Sequence, residues 1–180
     1  MSEKKLNEVS ISDIKTKIIV YPTDTVYGIG CNAEDTALVN RVYRIKKRKR
    51  DMPISVIAPS KKWILDNFVC KKEDIDKYLP GAYTLVVRKK DPQFLNAVSC
   101  GDSVGIRMIR HKFQDVVSLA NIPFVTTSAN ISGKETPKSF LDIDIELKNN
   151  ADIVVDEGAL KGKPSKIIDI AGSFKKILRD

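Results

Sequence analysis

The chain has 180 residues, 42% hydrophobic and 30% charged, enough for one sizeable core under an ordinary globular surface. Its formal net charge of +8 suits polyanionic partners, nucleotide phosphates or nucleic acid, without choosing between them. No apolar run approaches the ~20 residues of a membrane span; a single histidine excludes a histidine-rich metal centre, and three cysteines without a Cys-x-x-Cys spacing give neither a disulfide framework nor a zinc site.

The charged start Ser2-Glu3-Lys4-Lys5 is not followed by an apolar signal core, which predicts a cytoplasmic protein. Residues 17–21 are short, β-branched and stopped by Pro22, the pattern of a buried strand. A polar stretch with glycines at 28 and 30 follows. Glu34 and Asp35 then open a helix where the dipole favours acidic groups. Leu38, Val42 and Ile45 recur at i, i+4 and i+7 and give that helix one apolar face. Its last turn and exit loop carry Lys46-Lys47-Arg48-Lys49-Arg50. A solvated helix end, complementing the negative C-terminus, explains one or two of these cations. Five between two core-held elements suit an anionic partner equally, and the segment alone leaves both readings open.

Pro53 precedes a strand at 54–58, and short helices are expected at 61–69 and 73–78. A Pro80-Gly81 turn leads to strands at 83–88 and 104–108, then a helix at 111–120 with Phe113, Val116, Val117 and Ala120 inward. A buried strand at 123–127, a helix at 139–147, strands at 152–156 and 166–170, and an edge strand or turn at 173–178 complete the chain. Strands and helices interleave without repeats or a Pro/Gly/Ser-rich linker. The pattern predicts one α/β domain over residues 1–180, a mixed parallel and antiparallel sheet with flanking helices.

Two loops after buried strands are rich in hydrogen-bonding groups. Residues 22–30 supply Thr23, Asp24, Thr25 and Tyr27 with two glycines; residues 126–133 supply Thr126, Thr127, Ser128, Asn130 and Ser132. Strand-end loops line the crevice of α/β sheets, and hydroxyls, amides and backbone N–H groups suit phosphate or carboxylate oxygens. Turn and cap chemistry favours the same residue types and accounts for either loop alone. Both loops beside the basic run point to a binding site. Neither a Gly-x-x-x-x-Gly-Lys-Ser/Thr loop nor a Gly-x-Gly-x-x-Gly fingerprint is present.

Tyr21-Pro22-Thr23-Asp24-Thr25-Val26-Tyr27-Gly28-Ile29-Gly30 resembles the opening motif of the YrdC/YciO family, threonylcarbamoyl-AMP synthases and their relatives. The family's Lys-x-Arg and Ser-x-Asn pairs correspond to Lys46-x-Arg48 and Ser128-x-Asn130. The likeness continues through Pro80-Gly81-Ala82-Tyr83-Thr84, Ser103-Val104-Gly105-Ile106-Arg107-Met108, Asp156-Glu157-Gly158, Ser165-Lys166-Ile167-Ile168-Asp169 and Ile177-Leu178-Arg179, nearly the whole chain in order.

The resemblance implies a YrdC-like domain with a twisted mixed sheet and a concave basic cleft. The implied enzyme is a nucleotidyltransferase that joins L-threonine, bicarbonate and ATP into threonylcarbamoyl-AMP with release of pyrophosphate. A threonylcarbamoyl-transferase complex would pass the product to tRNA. By the same resemblance, Lys46 and Arg48 are catalytic and bind the triphosphate; Thr25, Arg107, Ser128 and Ser165 bind threonine; Ser103, Asn130 and Arg179 bind ATP. Mg2+ is expected with the nucleotide, without a dedicated protein metal site. The chain departs from the family at Lys49, usually proline, at Ile57, often histidine, and at Lys166, usually threonine. It ends one residue after Arg179, so the resemblance predicts a short form lacking the C-terminal domain of longer members. The alternatives are a YciO-like paralogue of different chemistry and a non-enzymatic module binding tRNA or double-stranded RNA.

Overall fold

The structure is a computed structural model and describes residues 2–180. In chain order the strands are β1 (Ser2–Lys4), β2 (Ile19–Tyr21), β3 (Gly28–Gly30), β4 (Ser55–Ile57), β5 (Phe68–Val69), β6 (Tyr83–Lys89), β7 (Ser103–Arg107), β8 (Phe124–Ser128), β9 (Ile153–Val155), β10 (Lys166–Asp169) and β11 (Lys176–Arg179). The helices are α1 (Ile11–Thr16), α2 (Thr36–Ile45), α3 (Lys61–Asn67), α4 (Lys72–Tyr78), α5 (Phe113–Ala120) and α6 (Ile145–Asn150). The strands form one mixed sheet in the order β1-β9-β2-β3-β8-β4-β7-β6-β10-β11, with β5 paired to β6. The β1–β9, β9–β2, β4–β7 and β6–β10 pairs are parallel; the others are antiparallel.

The short apolar runs are strands because helices bury both sheet faces, and alternation assigns each residue to one of them. Val20, Val56, Leu85, Ile106, Val125 and Val154 face a core closed by Val39, Val42 and Tyr43 of α2, Ile64 of α3, Ile75 of α4 and Leu147 of α6. Ile19, Tyr21, Ile57, Phe124 and Ile153 face a second core under Ile14 of α1 and Phe113 and Val117 of α5. There Tyr21 stacks on Phe113 with ring centroids 3.9 Å apart. Thr84, Gly105, Arg107, Ser55 and Thr126 alternate onto that same second face, beyond the cover of α1 and α5.

The predicted helix at 139–147 is a correction: α6 starts only at Ile145. Asp144 caps it by accepting the Glu146 N–H at 2.9 Å. Asp142 accepts from the backbone of Lys138 and Ser139 instead, which holds the preceding residues in a turn. In α2 the buried face is Val39, Val42, Tyr43 and Ile45, with Leu38 only partly covered. The expected glycine loop contains β3, which lies between β2 and β8. A Cβ on Gly30 would run into the Val125 carbonyl and come within 2.8 Å of the Phe124 ring. Neither neighbour can yield inside a sheet. Gly30→Ala is expected to destabilise the fold by about 3 kcal/mol or more, read as a lowered urea midpoint; an unchanged midpoint would refute this packing. No helix among the described residues is long and apolar enough to cross a membrane.

Candidate active site

The way α2 ends sorts the basic run. The Lys47 N–H bonds to the Arg44 carbonyl and the Arg48 N–H to the Tyr43 carbonyl, each at 3.0 Å, and Lys47 takes a left-handed φ of 49°. This is a Schellman termination with lysine where glycine is usual. It turns successive side chains in different directions. Lys46 enters the interior, 1% exposed. Its ammonium donates to the Ser128 carbonyl, to the Asn130 carbonyl at 2.7 Å and to Asn130 Oδ1 at 3.4 Å. Lys47 pairs with Glu146 of α6 at 2.8 Å. Arg48 bonds to the carbonyls of Met52 and Pro53 at 3.0 and 2.9 Å and lines a cleft. The Arg50 guanidinium lies 4.3 Å from the centre of the Tyr43 ring.

That cleft encloses about 200 Å³ over the uncovered part of the second sheet face. Thr25, Arg107 and Thr84 form one side, Ser128 and Arg48 another, and Ser165 with Arg179 a third. Thr23 shapes the loop after β2: its hydroxyl accepts the N–H groups of Thr25 and Val26 at 3.0 and 3.2 Å. The loop thereby presents Asp24 and Thr25 to Arg107. One guanidinium nitrogen, Nη2, bonds to Asp24 Oδ1 at 3.1 Å and Thr25 Oγ1 at 3.2 Å. Nε is buried and has no partner among the described residues. Burial pulls the Arg107 pKa down and Asp24 opposes that pull; the group stays a cation with donors to spare.

The loop after β8 is held from below. Ser128 donates to Asn130 Oδ1 at 2.5 Å, and Asn130 Nδ2 donates to the Lys134 carbonyl at 2.6 Å. The Ser132 N–H returns to the Lys46 carbonyl at 2.9 Å. Residues 156–165 cover the Thr25 side. Tyr27 donates to the Gly158 carbonyl at 2.8 Å and accepts from the Glu157 N–H at 3.0 Å. Burial pushes the Tyr27 hydroxyl up to about 12, so it stays protonated near neutrality. His111 and Glu157 meet at 3.0 Å, and Gly162 packs directly on the Thr25 backbone.

Of the nine residues singled out from sequence, Thr25, Arg48, Arg107, Ser128, Ser165 and Arg179 line the cleft. Lys46 and Asn130 lie beneath its wall, joined to each other. Ser103 opens β7 four residues from Arg107 on the same face, about 13 Å along the strand and outside the lining. Ile57, where the family often has histidine, is fully buried in the second core. Sequence reading missed Ser55 and Thr84 of the lining. Each is a lone hydroxyl residue inside an apolar strand run, and that interruption was the available signal. Among the described residues no group of three or more His, Cys, Asp or Glu could hold a metal ion. Asp24, the carboxylate beside the cleft, is occupied by Arg107 and by the Arg110 N–H.

The family model Sua5_yciO_yrdC, described as telomere recombination, matches residues 14–180. A putative threonylcarbamoyl-AMP synthase of Methanocaldococcus jannaschii is 41% identical over 159 residues, covering 86% of this chain and 74% of that one. The structure of Pyrococcus abyssi Sua5 complexed with L-threonine superposes with a TM-score of 0.80 at 29% identity, over 91% of this chain and 50% of that one. E. coli YciO superposes with a TM-score of 0.81 at 22% identity, over 94% and 86%, a likeness of fold. The chain thus spans about half the length of the Pyrococcus protein.

Proposed function

We infer the function from a family relationship, since the chain belongs to the Sua5/YciO/YrdC family, and from the cleft its fold builds. The activity is threonylcarbamoyl-AMP synthesis. The neutral amine of L-threonine attacks the carbon of bicarbonate, an N–C bond forms, and hydroxide leaves with an amine proton as water. The carbamate oxygen then attacks the α-phosphorus of ATP. The bond from that phosphorus to the β-phosphate oxygen breaks, and pyrophosphate leaves, which makes the enzyme a nucleotidyltransferase.

Arg107 carries this reading. Its Nη2 is fixed by Asp24 and Thr25 and its Nε is buried, so the guanidinium, held in one orientation at the cleft, has its Nη1 donors left for a carboxylate. A cleft of about 200 Å³ encloses an amino acid and not a nucleotide. ATP therefore lies across its mouth, with Arg48 and Arg179 on the phosphates and Ser103 further along the sheet face. The chemistry needs no covalent nucleophile; holding the reactants in line and neutralising charge suffices. Lys46 and Asn130 position the wall that bears Ser128. Mg2+ enters with the triphosphate, because the carboxylate nearest the cleft is already engaged. Residues 1–180 act as one domain in the cytoplasm, and the product passes to a transferase that modifies tRNA.

Purified protein with ATP and bicarbonate is expected to release pyrophosphate only when threonine is added, with the adenylate detected by mass spectrometry. Release of none, with all three substrates present, sinks the synthase reading. Threonine-independent turnover would point to a YciO-like paralogue, and steeply salt-dependent RNA binding without turnover to an RNA-binding module.

A further inference from the structure

Residues 156–165 connect β9 to β10 without a helix, turn or bend. β9 is second in the sheet and β10 ninth, so this strap crosses seven strand spacings, about 34 Å along the sheet, with ten residues that reach about 36–40 Å. It runs extended, and it crosses on the side of the cleft, where Pro164 and Ser165 join the lining. A Cβ on Gly162 would run into the Thr25 carbonyl and come within 2.5 Å of Thr25 Cα, so glycine lets the two backbones touch. Length alone does not seat the strap. Even about 2 Å of surplus over that span lets its middle bow outward by about 6 Å. Point contacts must hold it on Thr25.

Those contacts lie along its first half. Ala159 bridges to Ser139, and the Leu160 N–H donates to the Lys138 carbonyl at 2.7 Å. Tyr27, on the loop that carries Thr25, holds Glu157 and Gly158 through its hydroxyl. From the segment after β7, His111 meets Glu157. Its Nδ1 accepts the Phe113 N–H at 3.2 Å, so the ring proton lies on Nε2, which donates to the Glu157 carboxylate at 3.0 Å. The end of β7 and this segment also hold the Thr25 loop: Arg107 bonds to Asp24 and Thr25, and the Arg110 N–H to Asp24 Oδ2 at 3.1 Å. One short stretch of chain thus fixes both layers at Thr25, the loop through Arg107 and Arg110 and the strap through His111. The adenylation chemistry itself leaves this histidine without a task.

We propose that the His111–Glu157 bond is a latch that seats the strap on Thr25, which makes His111 a positioning residue for the amino-acid substrate. This rests on the synthase reading and adds to it a residue that acts through Glu157 and never touches substrate. With the latch closed, Gly162 bears on Thr25 and backs its hydroxyl against Arg107. With the latch open, the strap bows and Thr25 loses that backing. The backing supports the bound amino acid equally before and during the reaction, so its loss raises KM and leaves kcat.

The test is steady-state pyrophosphate release with threonine varied at saturating ATP and bicarbonate. In His111→Asn the shorter side chain still accepts the Phe113 N–H, two residues on, but does not reach Glu157. It is expected to raise the threonine KM about three- to tenfold, the worth of one hydrogen bond, with kcat and the ATP KM within twofold of the parent. Glu157→Ala, at a partly exposed position, should do the same. Glu157→Gln keeps an acceptor of equal reach and should recover most of the loss. His111→Asn combined with Glu157→Ala should go no further than the larger single change, because both open one latch. Gly162→Ala lifts the strap directly and should raise the threonine KM by about tenfold or more. A role confined to stability would lower the active fraction, and so kcat, at an unchanged KM. That result, or an unchanged threonine KM in both His111→Asn and Glu157→Ala, overturns the latch while leaving the synthase reading standing. A parent protein without threonine-dependent pyrophosphate release overturns the reading itself.

Discussion

Lys46→Met is expected to lower threonine-dependent pyrophosphate release by about two to three orders of magnitude and to lower stability as well. The Lys46 ammonium bonds to the carbonyls of Ser128 and Asn130; methionine leaves the part-buried Asn130 carbonyl without a donor and the Ser128 carbonyl with only the Asn130 N–H at 2.9 Å. An orphaned buried acceptor costs about 1–3 kcal/mol, and a loop shifted by about 1 Å costs roughly a hundredfold in rate. Arg48→Ala separates the two effects. Arg48 lines the cleft and bonds only to the carbonyls of its own exit loop, so its loss should cut the rate with little change in melting temperature. Lys49→Ala, at an exposed position, should change neither. Equal rate losses at Lys46, Arg48, Lys49 and Arg50 would mean a diffuse electrostatic patch and refute this division.

The same substitution reads the charge of Lys46. Burial, and after it the Arg48 guanidinium, pull the Lys46 pKa from the usual lysine range down to about 7. Below that pH folded and unfolded chains both hold the proton, and the group adds no slope. From about 7 up to the ordinary lysine value of about 10.4, only the unfolded chain is protonated, so stability rises with pH across that window. The parent should therefore gain stability relative to Lys46→Met between pH 7 and 9.5 in urea unfolding. A constant difference over that range would show that the three oxygens around Nζ keep it charged and offset the cost of burial.

Why the alternation of Lys46 and Arg48 is informative lies in backbone geometry that charge does not reveal. The run reads as five equivalent cations, yet the left-handed Lys47 sends its neighbours to opposite sides of the wall. Periodicity made α2, β6, β7 and β8 legible, because their apolar patterns match the faces they bury. It could not reveal β3, whose Gly-Ile-Gly sequence has no strand propensity and is held in place by β2 and β8 on either side. The six-residue α1 is too short for a period; its start lies in the capping box of Ser10 and Asp13, where the Asp13 N–H donates to the Ser10 hydroxyl at 3.1 Å. The cleft divides in the same manner. The loops carrying Thr25 and Ser128 announce themselves by composition. The hydrogen bonds between Thr84 and Ser165, at 2.8 Å, and from Arg179 to Ser165, at 3.2 Å, join residues 81 and 14 positions apart, and only the parallel β6–β10 and antiparallel β10–β11 pairings bring them together.

Arg107→Lys is expected to lower kcat/KM for threonine by roughly a hundredfold or more, most of it as a raised KM, with stability nearly kept. Lysine preserves the cation that Asp24 needs, at a site where the two side chains are 9% and 11% exposed. It cannot preserve the fork. A single ammonium that satisfies Asp24 and Thr25 has no second, separately placed nitrogen for the substrate carboxylate, as Nη1 is on the guanidinium. Arg107→Ala should be worse in a different way. It leaves the Asp24 carboxylate partly buried with only the Arg110 N–H at 3.1 Å, and breaking such a pair from one side costs about 3–5 kcal/mol in a buried setting. Asp24→Asn in the Arg107→Ala background removes the stranded charge, so it should restore part of the lost melting temperature and none of the activity. Calorimetric titration with threonine, beside melting curves of the four proteins, reads both effects. An Arg107→Lys protein that binds threonine within threefold of the parent would show that the guanidinium does not hold the carboxylate, and the orientation assigned to the amino acid would have to be reversed.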